Sequence, residues 1–147
     1  MFVIQAIASL ALRFALALPF WKSGLTRWEG FLELRPATLY FYQEIYKPTL
    51  FGKTYAMPYP EIAAWLASFA EIILPAALVI GFATRLSALG LLAMTLVIYT
   101  TYQSLGASPG QWQTETLPWA AMALGLIAYG PGRLSVDYLI WDSWKRR

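Results

Sequence analysis

Two ionisable side chains lie inside long apolar runs of this sequence: Arg13 within residues 2–20 and Glu71 within residues 62–82. A charge near the centre of a bilayer costs several kcal/mol, so such residues mark paired or functional positions. Counted from the connection between the two runs, Arg13 lies about 10 Å deep and Glu71 about 13 Å, at about 1.5 Å of rise per residue. An arginine spans that difference, so the two are expected to pair. Pro75 has no N–H to give the carbonyl of Glu71, four residues earlier, and Pro19 likewise frees the carbonyl of Ala15. Free carbonyls at such depth are tolerated only beside protein or a wet cavity. Three readings of this locus stand side by side. It is an ion pair that orients two helices; or a ligand site in which Arg13 and Glu71 hold a polar headgroup, such as a quinone carbonyl or a small anion; or a proton relay at Glu71, since burial disfavours an ionised carboxylate.

The chain has no cysteine and no histidine. Disulfides, thiolate nucleophiles, iron–sulfur clusters, the usual haem ligands and most zinc sites are therefore excluded, and no metal site is expected. Any redox role needs a borrowed carrier, either a bound organic molecule or a partner protein. The net charge of +3 is modest, and its basic residues suit phospholipid headgroups rather than nucleic acid.

The elements that position these residues follow from the hydrophobic pattern. Of 147 residues 59% are hydrophobic and 13% charged, against about 25% charged in a soluble domain. A spanning helix takes roughly 20 apolar residues. The sequence predicts an all-α integral membrane protein, a bundle of four transmembrane helices in a single membrane domain over 1–147. The spans are expected at about 2–20, 62–82, 86–103 and 111–130, the last bent at Pro118. A signal peptide ending at Ala15-Leu16-Ala17 is the competing reading of the first run, but the positive charge lies inside the apolar core rather than before it. A retained helix is expected.

Residues 21–60 form a long aromatic loop between the first two helices, with Trp21, Trp28, Phe31, Tyr40, Tyr42, Tyr46, Phe51 and Tyr55 among its charges. Such side chains favour the membrane–water boundary. Within the loop, residues 37–46 are predicted as a short helix ended by Lys47-Pro48. A turn is expected over Gly106–Gly110. An interfacial helix is expected over about 134–144, started and capped by Ser135 and Asp137 and followed by the basic Lys145-Arg146-Arg147. Ala121 and Gly125 make a small-xxx-small pair that permits close helix packing. Basic residues tie between the two sides, and the clustered C-terminal charges favour cytoplasmic termini.

Several short motifs occur in order. Arg13-Phe14-Ala15-Leu16-Ala17 is followed by Phe20-Trp21-Lys22-Ser23-Gly24 and Arg27. Then come Glu71, Gly81-Phe82-Ala83-Thr84-Arg85, and Tyr129-Gly130-Pro131-Gly132-Arg133-Leu134-Ser135-Val136-Asp137. Together they resemble the DoxX family of small bacterial membrane proteins, whose relatives include a thiosulfate:quinone oxidoreductase subunit. The resemblance implies a four-helix membrane bundle in the cell inner membrane and a link to oxidoreductase systems. It also implies Arg13, Ser23, Gly24, Arg27, Glu71 and Arg85 as a ligand-binding set. The function expected is a quinone-interacting or accessory subunit of a membrane oxidoreductase, with no built-in cofactor, working with a redox partner protein or as a homo-oligomer. The alternative is a small-molecule permease or a membrane anchor for a soluble partner.

Overall fold

The computed structural model describes residues 2–104 and 109–145. Helix α1 runs Phe2–Thr26 with Pro19 inside it. It leads to a hairpin of β1 (Trp28–Gly30) and β2 (Glu33–Leu34), then helix α2 (Pro36–Tyr40), a π-helical turn over Phe41–Ile45, and a hairpin of β3 (Thr49–Leu50) and β4 (Lys53–Thr54). Four more helices complete the chain: α3 (Pro60–Ile80), α4 (Thr84–Ser104), α5 (Pro109–Tyr129) and α6 (Val136–Lys145).

The apolar runs fold as expected, but α1 continues six residues beyond residue 20. By length and apolar composition α1, α3 and α4 can each cross a membrane, over Val3–Thr26, Pro60–Ile80 and Thr84–Thr101. Helix α5 is as long as α3 but carries Gln111, Gln113, Thr114, Glu115 and Thr116 in its first half, which keeps it out of that group. The turn expected over 106–110 falls partly on residues 105–108, outside the described residues; Pro109 and Gly110 open α5. The expected helix over 37–46 is divided between α2 and the π-helical turn. The two hairpins were not anticipated. Their strands are two or three residues long, too short to show alternation. In the second, Phe51 (φ 51°) and Gly52 (φ 76°) form the two-residue tip, the double positive φ that suits a tight hairpin.

Leu16, Ala17 and Phe20 of α1, Leu78 of α3, Ala88 and Leu91 of α4, and Ala123 and Leu126 of α5 make the central core. Outside it, Ile4, Phe14 and Leu18 of α1, Leu66 and Ile73 of α3, and Leu86, Leu89 and Leu96 of α4 are exposed. A bundle apolar on its outside as well as its inside is built for lipid, where backbone groups must be satisfied within each helix. Packing between helices is set by small residues: a methyl group on Gly90 would come 2.7 Å from Leu74 Cδ1. Among the described residues Gly125, of the pair Ala121 and Gly125, permits no such approach, since a methyl on it would meet nothing within 4 Å.

Candidate functional site

The expected pair of Arg13 with Glu71 does not form. Gly24 lies against Glu71, and the Arg13 guanidinium lies against Gly81. The antiparallel register of α1 and α3 is thus displaced by about ten residues, roughly 15 Å, from the one that would join Arg13 to Glu71. The physical reason is that α1 does not end with its apolar run. Ser23, Gly24 and Thr26 remain helical, and the first turns of α3 project past them to pack on the connecting segment. There Trp28 meets Trp65 at 5.5 Å and Phe69 at 5.0 Å between ring centroids, and Tyr42 and Tyr46 bury against Ala64.

Glu71 is paired instead with Arg27, the first residue after α1. Arg27 Nε donates to Glu71 Oε2 and Nη2 to Oε1, both at 2.8 Å, a two-pronged geometry that matches a carboxylate. Ser23 Oγ, one turn earlier on α1, donates to Oε2 at 3.1 Å. The side chains are 19% and 3% exposed. Arg27 is held from outside as well: its guanidinium lies 5.5 Å from the Tyr42 ring centroid and 6.0 Å from that of Phe41, within cation–π range. Its carbonyl accepts from Arg35 N at 3.0 Å and Thr38 Oγ1 at 3.1 Å. The Glu71 carbonyl that Pro75 leaves unbonded faces Gly24, where a methyl group would come within 2.9 Å of it. Glycine is required there by proximity, not by backbone conformation.

This cluster closes the polar end of a cavity of about 680 Å³. Its apolar walls include Phe20 of α1, Ala67 and Ala70 of α3, Met94 and Val97 of α4 and Trp119 of α5, and Tyr42 and Tyr46 join Arg27 on the loop side. Both tyrosines are buried, with rings 5.3 Å apart, and among the described residues neither hydroxyl has a hydrogen-bond partner. Burial pushes the Tyr42 phenol up to about 12, the nearby Arg27 charge opposing it and Glu71 and Tyr46 adding to it; Tyr42 is a hydrogen-bond donor at neutral pH. Burial works against the Arg27 cation, but the hydrogen bonds and charge of Glu71 outweigh it and raise its pKa. The cavity thus has fixed donors at one end and hydrocarbon along its length.

Of the residues singled out from sequence, Ser23, Gly24, Arg27 and Glu71 meet here, and Arg13 and Arg85 do not. Arg13 is fully buried near the other end of α3. Its Nη1 donates to Val79 O at 3.3 Å, its Nη2 donates to Leu134 O, and its Nε has no partner among the described residues. Asp137 is close enough to act on it electrostatically. Asp137 itself accepts from Ala83 N at 2.7 Å and Thr84 N at 2.8 Å, so it caps α4 rather than its own helix. Ser135 caps α6 as expected, accepting from Tyr138 N at 3.1 Å. Arg85 lies beyond, against Gly130. Tyr42 and Tyr46 were the site residues missed. Their spacing of four places both on one side of a helical turn, but in a segment so rich in aromatics that signal is lost.

Compared with known proteins, residues 8–104 match the family model described as DoxX. A protein of Haemophilus influenzae, described only as an uncharacterized protein, is 32% identical over 145 residues, covering 92% of this chain and 85% of the relative. No solved structure matches the chain.

Proposed function

The chain belongs to the DoxX family, and from that premise we propose that it is a membrane-embedded quinone-binding protein, an accessory subunit of a membrane oxidoreductase. The observation that carries this reading is the cavity: about 680 Å³ of mostly apolar space ending on Arg27, Glu71 and Tyr42. Ligand sites commonly enclose about 300–1,000 Å³ and combine apolar walls with a few placed polar groups. The apolar walls suit a quinone ring, one carbonyl oxygen of which would accept from the Arg27 guanidinium and the Tyr42 hydroxyl. Glu71 and Ser23 hold Arg27 in place. A bound quinone supplies the electron chemistry, and with no cysteine or histidine to hold a metal centre electrons would come from a partner protein or from a small reductant reaching the site.

The same reading has four crossings, in the cell inner membrane, with both termini on the cytoplasmic side. The fourth crossing is supported by the bonding of α6 to the turn between α3 and α4, through Asp137 to Ala83 N and Thr84 N. Helix α5 must return the length of α4 to bring α6 there.

The test is mass spectrometry of quinones retained in mild detergent by the native protein and by the double variant Arg27→Met/Glu71→Met. A quinone kept by the first and lost by the second, both folded, supports the site. No quinone in the native protein from quinone-replete membranes sinks the reading. Attention would then pass to an anchor for a soluble partner, favoured by the fully exposed Phe31 and Phe51, 94% and 104% exposed at the hairpin tips.

A further inference from the structure

We propose that a second cavity, at the end of the bundle away from the hairpins, binds the phosphate of an anionic phospholipid through Arg85 and Arg133. It holds about 720 Å³ between the first turn of α4, the turn at Gly130–Arg133 and α6, and Thr84, Arg85, Arg133, Tyr138 and Trp141 line it.

Arg85 lies in the first turn of α4, where the helix macrodipole disfavours a cation. Among the described residues no carboxylate or carbonyl pairs with it. Its guanidinium is nonetheless placed: it lies over Gly130 (φ 80°), where a methyl group would come 3.4 Å from Nη2 and 3.5 Å from Nε. Arg133 brings the second charge and is steadied by Tyr138, whose hydroxyl accepts from its Nη2 at 3.2 Å and its Nε at 3.3 Å. The carboxylate that also lines the cavity, Asp137, has both oxygens engaged by the Ala83 and Thr84 amides and acts on Arg13 from the bundle side. Among the described residues that line the cavity, two are cations and one is a carboxylate, whose oxygens are already engaged. Thr84 adds a buried hydroxyl that has no hydrogen-bond partner among the described residues.

The position of the cavity selects the kind of phosphate. Thr84 opens the apolar stretch Thr84–Thr101, so Arg85 stands where headgroups begin. Leu86 and Leu89, both exposed, continue down α4 as a track for an acyl chain. Trp141 and Trp144 of α6 are exposed beside it, as interfacial aromatics are. The proposal is independent of the quinone reading, whose site lies at the other end of the bundle.

The experiment is native mass spectrometry of delipidated full-length protein titrated with phosphatidylglycerol, phosphatidylcholine or inorganic phosphate. Phosphatidylglycerol is expected to bind in preference to phosphatidylcholine, and Arg85→Gln and Arg133→Gln each to weaken it roughly five-fold. The control Lys22→Gln/Lys53→Gln, which removes two charges on the hairpin side where each test variant removes one, is expected to leave it unchanged. Inorganic phosphate competing at equal concentration, with loss in the same variants, would assign the site to a soluble phosphate. Equal binding of both lipids, or Arg85→Gln and Arg133→Gln variants that melt like the native protein and bind phosphatidylglycerol as well, overturns the proposal.

Discussion

Glu71 spends three acceptor positions on Arg27 and Ser23 in a nearly dry setting, and removing it strands a cation. Breaking a buried pair by deleting one partner costs about 3–5 kcal/mol, whereas replacing both partners by apolar residues of similar size is often neutral or stabilising. Arg27 retains 19% exposure, so Glu71→Ala is expected near about 3 kcal/mol in thermal or detergent unfolding, with Arg27→Met/Glu71→Met close to native. A double variant as unstable as the single one would mean that the carboxylate supports more than this pair. Tyr42 makes a pH prediction. Its folded pKa of about 12 lies above the ordinary value of 10.0, so the folded state holds the proton more tightly. Stability from this group is complete below about pH 10 and is lost as pH rises towards about 12. Tyr42→Phe should flatten the fall in melting temperature across that window, and identical profiles would contradict the environment described for Tyr42.

Between elements, two approaches set the geometry. At Gly24, α1 touches the Glu71 carbonyl of α3, and a methyl group there has 2.9 Å. Gly24→Ala is expected to destabilise by about 1–3 kcal/mol through overpacking, and the same shift should loosen Arg27 from Glu71, read as weaker retention of the proposed quinone. At the other end Asp137 ties α6 to α4. Asp137→Ala removes a helix cap, about 1–2 kcal/mol, and is expected to raise amide exchange across residues 136–145 and in the first turn of α4 together. Faster exchange in only one of them would show that the two are not coupled by this side chain.

For the whole molecule, crossings can be counted because the chain has no cysteine. Single cysteines at Glu29 and Lys145, probed with an impermeant thiol reagent in sealed vesicles, are expected to label from opposite faces if α5 crosses. Labelling from the same face would leave three crossings and put α6 on the hairpin side.

The sequence by itself determined the solvent and the elements. Long apolar runs with few charges admit only helices in lipid, because a backbone group without a partner there costs too much; hence the main helices, the buried Arg13 and Glu71, and the family. Depth in the bilayer was legible only as far as helix ends were, and those were read from apolarity. Ser23, Gly24 and Thr26 look like loop but continue α1, and that extension gives Glu71 to Arg27 instead of Arg13. Only the tertiary structure decided the partners. An antiparallel register is set by where small residues leave room for the facing helix, Gly24 of α1 admitting the Glu71 backbone and Gly81 after α3 admitting the Arg13 side chain, and by the aromatic segment against which α3 begins. Neither is encoded within one helix. The same holds for Asp137, whose place beside Ser135 reads as a cap for its own helix until the fold brings the start of α4 to it.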